Sequence, residues 1–107
     1  MTRNLAAVPA NENDEAGLMR LRLYVVGGTP NSMRAIQNWH AIAQEFLGGR
    51  AEMEIIDVLE APQRLLADGI LVTPTLLRLY PQPIVKIVGD LSQTDRVLRT
   101  LGVQSKS

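Results

Sequence analysis

The stretch LRLYVVGGTPNSMRAI, residues 21–36, decides the fold because it joins a strand pattern to a helix pattern. Leu, Tyr and Val fill both faces of residues 21–26, which is typical of a central strand covered on both sides. Thr29 can cap a helix, and Pro30 fits its first position. Apolar residues then recur at helical spacing as far as Leu47, and Gly48-Gly49 is a helix stop. We therefore expect a strand, a loop over residues 27–31 and a helix.

The residues that follow this helix complete a βαβ unit. AEMEIIDV, residues 51–58, alternates at first and then becomes wholly apolar, as a strand does. A strand, a helix of roughly 17 residues and a second strand imply parallel pairing with a right-handed crossover.

The second half of the chain has a different pattern. PQRLLAD, residues 62–68, predicts a short helix that the following glycine ends. Residues 75–80 and 84–88 read as strands, and the short PQP connection between them permits only an antiparallel hairpin. Ser92 and Asp95 form an S-x-x-D start for a last helix.

The predicted order is β-α-β-α-β-β-α, with helices on both faces of a mixed four-stranded α/β sheet. This is the plan of the thioredoxin-like fold. We expect one domain over residues 18–103, a flexible N-terminal tail over residues 1–17 and a short C-terminal tail over residues 104–107.

Composition excludes several classes of function. None of the 107 residues is cysteine, which removes disulfides, thiolate catalysis and thiolate metal sites. Net charge is zero without a basic block, so neither nucleic acid nor an anionic membrane is the expected partner. No apolar run reaches the length of a membrane span or of a signal peptide, and we expect a cytoplasmic protein. No cofactor or metal ion is expected.

Three loops should converge at one end of the sheet, namely residues 27–31, 72–75 and 88–91. The thioredoxin-like plan predicts a cis peptide bond before Pro74. GGTPNS, residues 27–32, occupies the dithiol position of that plan without cysteine. Ser32 or Thr29 at this helix N-terminus could hold an anion or activate a bound thiol, as in glutathione transferases. A glutathione-binding or transferase-like domain is therefore one reading, and a protein-binding domain without redox chemistry is the other.

Three longer stretches carry a resemblance to a known family. LRLYVVGGTPNSMRAI, the run IIDVLEAPQRLLADGILVTPTLLRLYP and IVGDLSQTDRVL together resemble the KaiB family of circadian clock proteins over about residues 21–101. The resemblance implies a protein that is not an enzyme. It implies binding to a KaiC-like hexameric RecA-like ATPase, with a KaiA-like protein or a histidine kinase as further partners. It also implies a switch between the thioredoxin-like form and a tetramer whose C-terminal half is rearranged, so that a monomer, dimer or tetramer is expected.

The resemblance also assigns residues. The implied partner surface comprises Thr29, Pro30, Asn31, Thr73, Pro74, Gly89 and Asp90. The strand around Ile55, Ile56, Asp57 and Val58 would be an exposed edge, open to strand addition by a further protein. No residue is implied to be catalytic.

Overall fold

The described part of the chain, residues 18–103, contains four strands and three helices in an α/β arrangement. The structure is a computed structural model, and it describes residues 18–103. The strands are β1 Met19–Val25, β2 Ala51–Asp57, β3 Thr75–Tyr80 and β4 Val85–Val88. The helices are α1 Pro30–Ile42, which continues as a π-helical turn over Ala43–Leu47, α2 Pro62–Ala67 and α3 Thr94–Leu101. The two predicted tails, residues 1–17 and 104–107, lie outside the described residues.

The sheet has the mixed topology that the sequence predicted. Its strand order is β2-β1-β3-β4. β1 runs parallel to β2 and antiparallel to β3, which pairs with β4 in an antiparallel hairpin. β1 and β3 are therefore central, and β2 and β4 are the two edges.

Apolar side chains form one core on each face of the sheet. The larger core buries one side of β1 against α1 and α3, with Leu23, Leu76 and Leu98 almost fully enclosed. The smaller core lies beneath α2 and contains Tyr24, Ile56, Ile70 and Leu77. β1 contributes every second residue from Met19 to Val25 to the larger core and Tyr24 to the smaller one, so both faces are covered near its C-terminal end.

The first helix begins and ends where the sequence places its signals. Thr29 occupies the N-cap position and Pro30 the first helical position. Gly48 ends the π-helical turn with φ of 55°, a left-handed backbone that glycine adopts without strain. Thr29 does not cap with its side chain, because its hydroxyl donates to the carbonyl oxygen of Val26 (2.8 Å).

The S-x-x-D motif predicts Ser92 as the N-cap of the last helix, which is wrong by one residue. Gln93 takes the N-cap position and Thr94 begins α3. The Asp90 carboxylate accepts a hydrogen bond from the Ser92 backbone N–H (3.0 Å), which turns the chain before the helix begins. The first strand also begins earlier than predicted, at Met19, which pairs with Ala51 of β2.

Candidate functional site

The N-terminal end of α1 is a tightly closed loop. The backbone N–H of Thr29 donates to the carbonyl oxygen of Val26 (3.2 Å), and the Ser32 hydroxyl accepts from the backbone N–H of Val26 (3.0 Å). Thr29, Pro30 and Asn31 are exposed. These three residues are therefore available to a partner.

Gly27 allows the end of β2 to approach this loop. A Cβ atom on Gly27 would lie 2.5 Å from Oδ2 of Asp57, closer than real carbon–oxygen contacts permit. The other oxygen of Asp57 accepts the backbone N–H of Leu59 (2.9 Å). Asp57 thus hydrogen-bonds within the turn after β2 and lies close to the loop before α1.

A backbone hydrogen bond connects the other two predicted loops to each other. The Thr73–Pro74 peptide bond is cis, which is the isomer that we expected, as are the bonds before Pro81 and Pro83. The carbonyl oxygen of Pro74 accepts the backbone N–H of Gly89 (2.9 Å), and Gly89 has φ of 117°. The three loops therefore do lie at one end of the sheet.

Asp90 joins the last of these loops to the helix. Its carboxylate lies 3.4 Å from Nε of Arg34, whose guanidinium also donates to the side chain of Asn31. The side chain of Asn38 donates to the carbonyl oxygen of Asp90 (2.8 Å). Hydrogen bonds from Ser92, followed by Arg34, hold the pKa of Asp90 below its usual value. Asp90 is thus a charged residue with partners inside the domain.

The seven predicted partner-binding residues differ in their access to solvent. Pro74 is buried, and Thr73, Gly89 and Asp90 are half-buried. Along the predicted edge strand, Ile55 is exposed while Ile56 is buried. Among residues 18–103, β2 is an edge of the sheet, as predicted, and no described strand pairs with its outer side.

The glutathione hypothesis loses Ser32, one of its two candidate groups, in this geometry. Ser32 is 1% exposed, and its oxygen already accepts the backbone N–H of Val26. A thiol could not reach that oxygen without opening the loop. His40 is exposed and Trp39 is buried in the core. Within residues 18–103, no cluster of three or more His, Asp or Glu side chains could hold a metal ion.

Four exposed apolar side chains that the sequence did not predict lie in α2 or close to it along the chain. Four of the nine exposed large apolar side chains among residues 18–103 fall within residues 59–72. We call them the α2 surface: Leu59 (73% exposed), Leu66 (79%), Leu71 (93%) and Val72 (50%). The signal available in the sequence was the pair Leu65-Leu66, because two adjacent leucines on one helix cannot both face the sheet.

A polar cluster lies between α2 and the sheet. Asp68, the C-cap residue of α2, accepts hydrogen bonds from the hydroxyl of Tyr24 and from Arg22 (2.8 Å). Burial alone would raise the pKa of Asp68, but the hydrogen bonds from Tyr24 and Arg22 and the charges of Arg22 and Arg64 outweigh it and lower that pKa. Arg64 forms two hydrogen bonds with Glu54 (2.7 and 2.9 Å), which lower the pKa of Glu54.

None of the described helices is both long and apolar enough to pass through a bilayer.

Comparison with known proteins identifies relatives over most of the chain. The family model described as "KaiB domain" matches residues 22–103. The circadian clock protein KaiB3 of Synechocystis sp. is 48% identical over 83 residues, which cover 78% of this chain and 81% of that protein. The circadian clock oscillator protein KaiB of Synechococcus sp. strain RCC307 is 52% identical over 79 residues, which cover 73% of this chain and 71% of the relative.

Solved structures with a similar backbone share the thioredoxin-like fold. The N-terminal domain of Synechococcus elongatus SasA has a TM-score of 0.67 at 20% identity, covering 100% of this chain and 96% of that one. Chloroplastic thioredoxin z has a TM-score of 0.63 at 16% identity, covering 83% of each chain. At such low identity these similarities show the fold alone.

Proposed function

The chain belongs to the KaiB family, and on that premise we propose that it is a non-catalytic clock protein that docks on a hexameric RecA-like ATPase of the KaiC type. Its docking would modulate the ATPase and phosphorylation cycle of that ring in the cytoplasm. The curated relatives are named as circadian clock proteins, which supports the clock role. The glutathione alternative is not favoured, because the Ser32 oxygen is buried and already hydrogen-bonded.

The α2 surface is the observation that carries the docking proposal. In a small domain whose other leucines are largely buried, Leu66 and Leu71 expose 79% and 93% of their area. Clustered exposed apolar side chains on a small domain commonly mark a protein interface. Val72 is followed directly by the Thr73–Pro74 loop, so the α2 surface adjoins the residues that the family resemblance implicates.

Substitution of the exposed leucines tests this proposal. Leu66→Ser and Leu71→Ser should each weaken binding to the KaiC-like ATPase of the same organism by about tenfold, the usual cost of removing a central apolar contact. Binding is measured by co-elution on a sizing column with ATP present, sampled over hours, and by titration.

Ile84→Ser is the matched control. Ile84 is also exposed, at 56%, but it precedes β4 at the end of the sheet opposite to Val88 and the Pro74 loop. The control should bind as the wild type does. Normal binding by both leucine variants, with the ring assembled, would exclude the α2 surface as the docking site.

The free edge of β2 is a second contact in this proposal. Its backbone can add a strand from a further protein, such as a KaiA-like protein. Pro substitution at an exposed β2 position, Ile55→Pro, should abolish that addition because proline cannot donate to a strand ladder. Ile55→Pro should still bind the KaiC-like ring in the absence of the KaiA-like protein. This result would distinguish the contact at the β2 edge from the contact at the α2 surface.

The proposal also includes a switch between this fold and a second one, because the family resemblance implies it. Two packings of one sequence must lie within a few kcal/mol of each other for such a switch. Analytical ultracentrifugation over a wide range of protein concentration measures the oligomeric states that such a switch would produce. A monomer–tetramer equilibrium supports the switch, and a monomer at every concentration with one set of amide resonances counts against it.

A further inference from the structure

Helix α2 is attached to the sheet by little apolar burial. None of its six residues is buried. Leu65, with Ala61 just before the helix, packs only partly against the smaller core. A helix of this length has no stability of its own in water. Other contacts must therefore fix its position on the sheet.

Asp68 supplies the most enclosed of these contacts. It follows the last residue of α2 and caps the helix, while its carboxylate reaches down to two side chains of β1. The hydroxyl of Tyr24 and the guanidinium of Arg22 both donate to this carboxylate. The side chain of Asp68 is 19% exposed and that of Arg22 is 29% exposed, so water screens this pair less than a surface pair. The Tyr24 hydroxyl also lies 3.3 Å from the carbonyl oxygen of Arg64 in α2.

A second, more exposed contact joins the same helix to the neighbouring strand. Arg64 of α2 donates twice to Glu54 of β2, and Arg22 lies 3.5 Å from Glu54 as well. Two arginines and two carboxylates thus connect α2 to β1 and β2. Glu54 is about half exposed, which makes this second contact weaker than the one through Asp68.

We propose that Asp68 is a positioning residue, which holds α2 on the sheet through Tyr24 and Arg22 and thereby sets the orientation of the α2 surface for its partner. The proposal has two halves. The first half, that Asp68 holds α2 on the sheet, concerns the free protein alone. The second half, that this orients the α2 surface for a partner, rests on the proposed function. Without the Asp68 contacts, α2 should open from the sheet while the central strands stay closed.

Amide hydrogen exchange on the free, full-length chain tests the first half. The reporters are the backbone N–H groups of Asp68, Gly69 and Ile70, which donate to carbonyl oxygens of α2. Asp68→Asn keeps the shape of the side chain and removes its charge. Exchange at the three reporters should rise about tenfold, as expected for loss of a charge-assisted hydrogen bond. Exchange within β1 and β3 should change less than about twofold.

Two further variants keep the test decisive. Tyr24→Phe removes one hydroxyl and leaves the buried ring in the smaller core, and it should raise the same reporters. Glu52→Gln is the matched control, because Glu52 forms an exposed ion pair with Arg20 (3.3 Å) on the same strands but contacts nothing in α2. It should leave the reporters unchanged. An equal rise at every amide in Asp68→Asn, or no rise at the reporters, would refute the positioning role.

Affinity for the ring ATPase tests the second half. Asp68→Asn should weaken binding at least fivefold relative to Glu52→Gln. If α2 opens but binding equals that of the control while Leu66→Ser binds poorly, the positioning of the α2 surface is refuted. If Leu66→Ser also binds normally, the docking proposal itself fails, and the exchange data still decide whether Asp68 holds α2.

Discussion

Alkaline pH should weaken this fold through one buried side chain, Tyr24. Its ring is enclosed in the smaller core and its hydroxyl donates to Asp68. Burial, that hydrogen bond and the negative charge of Asp68 raise the pKa of Tyr24 from 10.0 to about 12. Because the folded-state pKa is the higher one, the stabilisation is complete below the unfolded pKa and is lost as pH rises through the folded pKa.

The size of the effect follows from the shift. One pKa unit corresponds to about 1.4 kcal/mol, so a pKa raised from 10.0 to about 12 corresponds to roughly 2.7 kcal/mol of stability. Midway through the window, at about pH 11, roughly half of this should already be lost. A loss of that size is a large part of the stability of a small domain, which is on the order of 5–15 kcal/mol.

Urea unfolding between about pH 8 and pH 12 measures the loss. Other groups titrate in this range, so the informative quantity is the difference between the wild type and Tyr24→Phe, which has no hydroxyl to ionise. As the pH rises, the free energy of unfolding of Tyr24→Phe should fall by up to roughly 2.7 kcal/mol less than that of the wild type. Tyr80→Phe is the control, because Tyr80 is 45% exposed, and its profile should follow that of the wild type.

One outcome would refute the reasoning. If the wild type and Tyr24→Phe lose the same stability between about pH 9 and pH 11.5, the hydroxyl of Tyr24 ionises in the folded protein as it does in the unfolded chain. The hydrogen bond to Asp68 would then contribute nothing to the fold, and the proposed role of Asp68 would lose its main support.

Three further predictions concern single residues. Gly27→Ala should cost about 1–3 kcal/mol, because its Cβ would collide with the carboxylate of Asp57; unchanged chemical denaturation would show that this carboxylate moves aside freely. Arg78→Lys should cost roughly 1–2 kcal/mol in the same assay, because lysine lacks the fork that donates to two backbone carbonyl groups; equal stability would show that one of these bonds is dispensable. On the acid side, the lowered pKa of Asp68 means that its stabilisation is present above the unfolded pKa and is lost as pH falls through the folded pKa. Asp68→Asn should therefore be less sensitive to acid than the wild type below about pH 4, and parallel acid unfolding curves would contradict this.

The sequence predicted the sheet because its strands and turns carry local signals. One face of β1 is apolar and buried from Met19 to Val25, and the other face carries the buried Tyr24 after Arg20 and Arg22, so the strand is covered on both sides only towards its end. The PQP connection is too short for anything but a hairpin, and β3 and β4 do pair antiparallel. The edge position of β2 followed from the same topology.

Other features could not be read locally. α3 begins later than its S-x-x-D motif predicts, because Asp90 outside the motif engages the Ser92 backbone first. The exposure of Leu66 and Leu71 depends on how α2 sits across the sheet, which is set by contacts between residues about 45 positions apart, such as Tyr24 with Asp68. The burial of Pro74 could not be predicted locally either, because its carbonyl oxygen bonds to Gly89, which follows β4 in the chain. Long-range packing therefore decided which of the site residues can meet a partner.

The order of strands along the chain has a consequence for biosynthesis. β1 is the first strand to be made, yet it is the centre of the sheet and pairs with both β2 and β3. Its antiparallel partner leaves the ribosome about 50 residues later, as the pairing of Leu23 with Leu76 requires. At ordinary translation rates this delay is roughly 3–10 s. For that time the central strand β1, with its buried apolar residues, has no completed sheet to enter, so the nascent chain is a natural client for chaperones that act at the ribosome.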